Sequence, residues 1–503
     1  MEKATILASK LSEIYNDTQL PELKKKKGQF FTTKSIADFM ASLVIIDKNE
    51  LSILDPGSGT GVLVAALVDR IISEDIKITL NVDLFETDEN IISALEEVMN
   101  YCKLLMETNG NKFNYNIINK DFIMYHSEIF NLDLFSQNYE YKLYDCVISN
   151  PPYFKVPINH QYSELLHEYV HGQPNIYFMF MAVSENLLLE DGQLIFIVPR
   201  SFTSGSYFKK FRNKFLEKIS INHIHLFNSR KDNFNKEKVL QENLILVGKN
   251  NSDRLKNVII SSSNNSDIKK DYDHINISYS DMISSTSEEK IIRIPTTNEQ
   301  YAILKDFDKW TNNIVDMDLN ISTGRIVSFR NKEFISEYNK KDTYPLICMK
   351  NLKVPNVIFP INETDKGISK DCNQSLLVPS KNYLLLKRFT SKEQKKRIEC
   401  SIYDSDKQVR HDFIGIENHV NYMYKNKGEL TQEEMYGLSI ILNSNHADMY
   451  FRIVNGNTQV NASDIRPLPL PEYETIIDIG KKVLSGKVNS ENIDKYLKII
   501  IGS

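Results

Sequence analysis

A chain of 503 residues is longer than one ordinary hydrophobic core, so two domains are expected, and 41% apolar with 25% charged residues is the make-up of a soluble globular protein. No run approaches the roughly 18 apolar residues of a membrane span, and Met1-Glu2-Lys3-Ala4 lacks the apolar core of a secretion signal, which points to the cytoplasm. Five scattered cysteines without a Cys-x-x-Cys spacing argue against a disulfide framework and a zinc site, and the net charge of −5 is close to neutral for this length.

Residues 5–20 carry helical periodicity. Lys24 to Lys27, readable as a solvated flank or as phosphate contacts, lead into Gly28-Gln29-Phe30-Phe31-Thr32-Thr33. A second helical pattern follows on Ile36, Phe39, Met40, Leu43 and Val44, with Thr33 or Ser35 as its cap. A helix N-terminus preceded by Gly and Thr is a ready anion site, suited here to a ligand carboxylate.

Leu51-Ser52-Ile53-Leu54 reads as a buried strand entering Asp55-Pro56-Gly57-Ser58-Gly59-Thr60-Gly61, with a helix from Val62. Strand, glycine loop and helix form the nucleotide-binding arrangement, in which glycines permit the tight turn and the close approach of a ligand to bare backbone. The Gly-x-Gly-x-Gly spacing departs from the dinucleotide fingerprint, and Asp55 precedes it. That pairing suits S-adenosylmethionine, whose amino group and sulfonium are cationic, better than a pyrophosphate.

Apolar residues alternate from Ile76 to Leu84 and end at Phe85-Glu86, where a carboxylate at the end of the second strand reaches a ribose diol. Tyr115 to Phe122 is a third segment, closing in Asp121-Phe122, an acceptor for an adenine amino group beside a ring.

Tyr144-Asp145-Cys146-Val147-Ile148-Ser149 is a strand that stops at Asn150-Pro151-Pro152-Tyr153. Proline has no backbone N–H, so Pro151 and Pro152 end the ladder and fix Asn150 and Tyr153 at the strand's C-terminal edge, where ligands bind in open α/β sheets. The Asn150 side-chain oxygen and the Pro151 carbonyl then offer two acceptors for the two hydrogens of an –NH2 group, with Tyr153 placed to stack on the ring that bears it.

A long helix ending in the apolar run Ile176 to Val183 is expected next, then a strand from Gly192 to Val198 and final strands at His223–Phe227 and Asn243–Val247, joined by a loop that holds Phe234. This alternation predicts a mostly parallel, doubly wound sheet. Residues 250–290 turn Ser/Asn-rich and read as loops and edge strands before a boundary near residue 315.

Beyond residue 315 the balance is +3 (27 Lys+Arg against 24 Asp+Glu), which leaves −8 to the N-terminal part and hints at a DNA-facing C-terminal half. Lys381 to Arg397 carries seven basic residues against one acid with Tyr383 and Phe389 interleaved, a candidate phosphate-contacting strip. Gly456-Asn457-Thr458-Gln459-Val460-Asn461 supplies amide side chains of the kind that read adenine edges.

Taken in this order, Gly28 to Thr32, Asp55 to Gly61, Glu86, Asp121-Phe122 and Asn150 to Tyr153 resemble the gamma class of adenine-N6 DNA methyltransferases. Arg388-Phe389-Thr390-Ser391-Lys392-Glu393, Ile416 to Tyr422 and Gly456 to Val460 look like C-terminal signatures of type II restriction-modification enzymes, nearest the PstI/BsuBI type. The resemblance implies a Rossmann-like S-adenosylmethionine-dependent catalytic domain over residues 1–315 and a DNA target-recognition domain over 316–503. It further implies that Thr32 contacts the methionine part of S-adenosylmethionine, that Gly57, Gly59 and Gly61 line it, that Glu86 holds the ribose, and that Asp121 and Phe122 hold the adenine. Phe234 would sandwich the target base. An adenine flipped out of double-stranded DNA would bind Asn150 and Pro151 through its N6 hydrogens and take the methyl group directly. The enzyme is expected to act as a monomer, with any cognate restriction endonuclease separate. The alternative is a protein-glutamine N5 methyltransferase, which also uses Asn-Pro-Pro-Tyr but lacks a large C-terminal reader; a non-catalytic DNA-binding module would have no use for the cofactor loop.

Overall fold

The computed structural model describes all residues except 19–27, 29–30, 131–140, 228–241, 252–255, 264–267, 269–271, 285–288, 391–393, 458 and 503. Lys24 to Lys27, Gln29, Phe30, Phe234 and its loop, Ser391 to Glu393 and Thr458 therefore lie outside the described residues. The chain divides into two compact units, Met1–Thr297 and Asn298–Ser503. The division falls earlier than residue 315 because the helix Asn298–Phe307 buries Ile303, Leu304 and Phe307 in the core of the second unit.

In the first unit, helices α1 (Ala4–Thr18) and α2 (Lys34–Ser42) precede β1 (Glu50–Pro56), α3 (Val62–Ser73), β2 (Thr79–Phe85), α4 (Glu89–Thr108) and β3 (Lys112–Ile118). There follow the short helix α5 (Phe122–Tyr125), β4 (Tyr144–Ser149), α6 (Gln161–Leu165), α7 (Ile176–Ser184), β5 (Leu188–Pro199), β6 (Ile219–Phe227), β7 (Asn243–Asn250), β8 (Asn257–Ser263) and β9 (Asp273–Ser278). All nine strands join one sheet in the order β3-β2-β1-β4-β5-β7-β6-β8-β9. β1 pairs parallel with both β2 and β4, and the parallel run continues to β3 and β5. β7 enters antiparallel between β5 and β6. The Ser/Asn-rich stretch supplies β8 and the edge strand β9.

Both faces of the sheet are covered. Ile195 and Ile197 of β5 belong to the apolar core formed with α1 to α4, yet the alternating Leu194, Phe196 and Val198 are equally buried, and α7 packs on β5. The single long helix expected after Tyr153 is two, α6 and α7. Gly172, at φ +70°, and Pro174 interrupt it, since neither left-handed backbone nor proline continues an α-helix.

The chain builds outward from β1 through β2 to β3, then returns to lay β4 on the other side of β1. The C-terminal ends of β1 and β4 are thus the point where strand order reverses, and the crevice there is where ligands bind in open α/β sheets.

In the second unit, the strands Leu319–Thr323, Val420–Lys425, Tyr383–Lys387 and Cys400–Tyr403 lie side by side in a six-stranded sheet. One face of it packs Ile321, Leu384, Leu386 and Met423 against the helices Gln432–Leu442, Asn445–Val454 and Tyr473–Leu484. A second, five-stranded sheet includes Ile335–Glu337 and Phe413–Ile416. Among the described residues no helix is long and apolar enough to cross a membrane.

Candidate active site

The loop after β1 is a stack of left-handed turns, with Gly57, Gly59 and Gly61 at φ +92°, +55° and +79°. A side chain at these angles would be strained, which is why three glycines alternate here. The N–H groups of Gly57 and Ser58 both donate to the Phe85 carbonyl at 2.9 Å, fastening the loop to the end of β2. Gly59 N–H donates to Glu86 Oε2 at 2.9 Å, while Glu86 Oε1 accepts from Thr87 and Asp88 N–H at 2.8 Å each. Glu86 is 6% exposed, and burial raises its pKa in spite of those three donors.

Asp55 sits beneath this loop, fully buried, and neither carboxylate oxygen finds a hydrogen-bond partner among the described residues. Burial, then the nearby Glu86 charge, pushes its pKa well above the usual carboxylate range. The folded chain therefore holds a proton that the unfolded chain gives up as pH climbs, so stability contributed by this residue declines between the ordinary pKa of about 3.9 and the raised one. Asp55→Asn should then melt higher than the parent protein in mildly alkaline buffer, with the gap closing as pH falls toward about 4. Equal melting temperatures at both ends would mean that the buried carboxyl is stabilised by partners it does not show.

After β3, Asp121 caps α5, its Oδ1 accepting from Met124 N–H at 2.8 Å, and its Oδ2 accepts from the Tyr162 hydroxyl. Phe122 is buried in an aromatic cluster, its ring centroid 5.3 Å from Phe85 and 5.2 Å from Phe180. After β4, Ser149 Oγ donates to the Pro56 carbonyl at 2.8 Å, tying the two strand ends together. Asn150 Nδ2 donates to Thr32 Oγ1 at 3.0 Å, and Asn150 Oδ1 lies 2.7 Å from the Tyr153 hydroxyl, whose one hydrogen is shared with the Ile197 carbonyl at 2.8 Å, so the carboxamide is held from both sides.

Gly28 brings the Thr32 segment into place. Tyr153 N–H donates to the Gly28 carbonyl at 3.1 Å, and a Cβ on Gly28 would meet the Tyr153 backbone at 2.8–2.9 Å, so glycine is required by proximity as well as by its φ of +60°. Thr33 stands at the N-cap of α2 without making a side-chain cap bond.

These groups surround one cavity of about 570 Å³. Thr32, Gly57, Gly59, Glu86, Asp121, Phe122, Asn150, Pro151 and Pro152 all line it. Asp55, Gly61 and Tyr153 do not: Asp55 is fully buried, Gly61 backs onto Leu95 and Met99, and Tyr153, 7% exposed, stands edge-on to Tyr177 at 6.2 Å, while Phe154 is on the wall.

Residues outside the motifs brace this wall from behind. Asp88 accepts from the Tyr15 hydroxyl at 2.5 Å, Ser12 Oγ lies 2.6 Å from Thr60 Oγ1, and Asp69 accepts from Ala4 and Thr5 N–H at 2.8 and 3.0 Å. Helix α1 thereby braces the glycine loop. Asp88 is legible as a helix cap two residues after Glu86; Tyr15 and Tyr162 are brought in by tertiary structure alone.

A doubly wound sheet with a glycine loop after β1, a carboxylate after β2 and an Asn-Pro-Pro segment after β4, followed by a second unit, has the Rossmann-like architecture of a methyltransferase. Residues 43–234 match the Eco57I restriction-modification methylase family. The chain is 33% identical over 497 residues to the type II methyltransferase M.PstI of Providencia stuartii, covering 98% of this chain and 96% of that one. It is 34% identical over 481 residues to M.BsuBI of Bacillus subtilis, covering 94% and 93%. A type IIL restriction-modification enzyme, MmeI, solved with DNA, shares the fold across 95% of this chain and 70% of its own length, with a TM-score of 0.54 at 11% identity. The chain belongs to the type II methyltransferases of restriction-modification systems. A protein-glutamine methyltransferase, the alternative open from the motif, has no support in these relationships.

Proposed function

We propose that this protein transfers the methyl group of S-adenosylmethionine to the N6 amine of an adenine flipped out of double-stranded DNA. The observation that carries this reading is the single cavity that joins Glu86, Asp121 and the glycine loop to the doubly held carboxamide of Asn150. When bound, S-adenosylmethionine supplies a methyl group on a cationic sulfur.

The residues fit such a group. The unpartnered Asp55 carboxyl and the buried Glu86 make the glycine-loop end of the site anionic once a cation compensates them. Glu86 is placed to accept from a ribose diol. Asp121 offers lone pairs to an adenine amino group in competition with Tyr162, and the rings of Phe122 and Phe180 cover the apolar side. Thr32 faces the methionine part and at the same time orients Asn150.

At the acceptor end, Asn150 Oδ1 and the Pro151 carbonyl take the two hydrogens of the amine, which points the nitrogen lone pair at the methyl group. No Pro-Cys pair occurs in the sequence and no cysteine is among the residues that line the cavity, so the transfer is direct, without a covalent enzyme intermediate. Tyr153 holds Asn150 through its hydroxyl, and Phe154, on the wall, joins Tyr153 and Phe234 as a candidate to stack on the extruded base. The second unit reads the target sequence, the enzyme acts as a monomer, and any cognate endonuclease is a separate polypeptide.

Purified protein given S-adenosylmethionine labelled in the methyl group should pass label to duplex DNA and not to protein or RNA, and digestion should place it on N6-methyladenine. Label on cytosine or on protein would overturn the reading. Within it, Glu86→Ala removes charge-assisted hydrogen bonds worth on the order of 1.5–3 kcal/mol each, so the dissociation constant for S-adenosylmethionine should rise about tenfold or more by calorimetry. An unchanged constant would make Glu86 a brace for Gly59 and no more.

A further inference from the structure

Four members of the basic strip expected from Lys381 to Arg397 are turned to groups of the second unit itself. Arg397 is 2% exposed and gives Nη2–H to the Asn457 carbonyl at 3.0 Å, Lys396 donates to the Asn443 carbonyl, and Lys387 pairs with Glu399 at 2.6 Å. Lys381 is turned to the Gly428 carbonyl at 2.8 Å. These cations serve the second unit's own fold.

A different surface emerges where segments far apart in sequence meet at one end of the six-stranded sheet. Thr323, Lys387 and Val420 end or begin adjacent strands there, with Thr323 in register with Asn421 and Lys387 with Val420. The loops beyond them are fastened to one another. Gly324 N–H donates to the Val420 carbonyl at 2.8 Å, Asn418 N–H to the Ile326 carbonyl at 2.8 Å, Arg388 N–H to the His419 carbonyl at 3.0 Å, and Val460 N–H to the Arg388 carbonyl at 2.8 Å. A Cβ on Gly324 would lie 2.1 Å from the Glu417 carbonyl oxygen, so the first loop can seat on the second only through glycine.

This fixed platform carries exposed aromatic rings beside guanidinium groups. Phe329 is 77% exposed with the Arg330 guanidinium 5.5 Å from its ring centroid, and Phe389 is 40% exposed with the Arg388 guanidinium at 5.7 Å. The two rings are linked by contacts: Ser328 Oγ donates to Glu417 Oε1 at 2.9 Å, His419 Nδ1 lies 3.3 Å from the same oxygen, and the His419 ring stands edge-on to Phe389 at 4.7 Å. Arg330 and Lys332 are exposed here beside Glu333, while Arg325 gives Nη1–H to the Ser375 and Leu377 carbonyls and Arg388 gives Nη1–H to the Asn418 carbonyl, each at 3.1 Å, so these two add charge from fixed positions; Glu417 is already engaged by Ser328 and His419. A net cationic rim with projecting rings complements a polyanion that has stackable bases and is poorly matched to an acidic or apolar protein face.

We propose that this sheet end is the surface by which the second unit grips duplex DNA, with Phe329 entering the base stack as a wedge and Arg330 on the flanking phosphate. Apolar and aromatic side chains driven between base steps unstack them locally and bend the duplex so that more protein can reach it. The proposal rests on the DNA-methylating function above and assigns residues of the second unit that engage the duplex.

The test uses the full chain and a short duplex containing a position that the wild-type protein methylates, located first by sequencing a modified plasmid. Phe329→Ala should weaken binding about tenfold by anisotropy, Phe329→Trp should restore it, and S-adenosylmethionine affinity and melting temperature should not move. Arg330→Ala should lower the salt dependence of binding by about one ion, which Phe329→Ala should leave alone. If the wild-type protein methylates the duplex and a Phe329→Ala/Phe389→Ala double variant binds it with wild-type affinity, this assignment is wrong while the function stands. If the wild-type protein neither binds nor methylates duplex DNA, both fall.

Discussion

Asn150→Ala is expected to lower the turnover number by about a hundredfold or more while leaving the affinity for S-adenosylmethionine within about threefold of the parent. The asymmetry follows from where the side chain stands. Its carboxamide is clamped between Thr32 Oγ1 and the Tyr153 hydroxyl, at the end of the cavity away from the bonds that hold Glu86. Removing it leaves the Pro151 carbonyl as a lone acceptor, and one contact cannot fix the direction of the amine lone pair. Asn150→Asp keeps an oxygen toward Tyr153 but replaces the donor to Thr32 with a second acceptor, so it should fall between the two. Label transfer at saturating substrate measures turnover, and calorimetry measures donor affinity. An Asn150→Ala protein that has lost donor binding would relocate the residue to the cofactor half of the site.

Arg397→Ala should unfold the second unit more easily, by about 3 kcal/mol, or on the order of 10 °C in its transition. Arg397 is buried over the Phe451 ring at 5.7 Å, its Nη2 serves the Asn457 carbonyl, and its backbone N–H and carbonyl are taken by Asp448 and Thr390. Truncation strands the Asn457 carbonyl and empties the buried space beside Phe451, while the backbone bonds to Asp448 and Thr390 survive it. Lys395, exposed two positions earlier, should tolerate the same change within about 0.5 kcal/mol. Calorimetric scans of the two variants settle the matter, and an Arg397→Ala protein that melts like the parent would return the residue to the surface.

That contrast shows what a sequence carries and what it does not. The meeting of the glycine loop, Glu86 and Asn150 on one cavity was legible because each place is written locally: a strand that ends, a turn that needs positive φ, a proline that stops a ladder. The strip at 381–397 divides in the fold, with Phe389 and Lys395 exposed while Lys396 and Arg397 meet the carbonyls of Asn443 and Asn457, because a run of lysines and arginines has one spacing whether its charges meet solvent or backbone. Parallel pairing was legible as far as β5, because strands that alternate with helices pair in parallel. The antiparallel β7 between β5 and β6 depends on a return across the sheet that no local pattern records. The boundary was displaced because the apolar stripe of Asn298–Phe307 says that a helix buries one face, without saying in which core. Tyr153 was expected on the cavity wall by its place in the motif, and its ring turns instead to Tyr177, with Phe154 taking the wall.

Helix α1 has a bearing on the order in which this molecule assembles. Its anchors lie 48 to 73 residues downstream, at Thr60, Asp69 and Asp88, so on the ribosome it emerges well before any of them exists. Fifteen residues make only a marginal helix alone. The segment must therefore wait, loosely structured, until β1, α3 and β2 have formed, and then dock as one of the later events of the N-terminal half. The cavity beside the glycine loop is thus braced by a part of the chain made well before the loop itself, and a fusion that holds Ala4 away from Asp69 would be felt there.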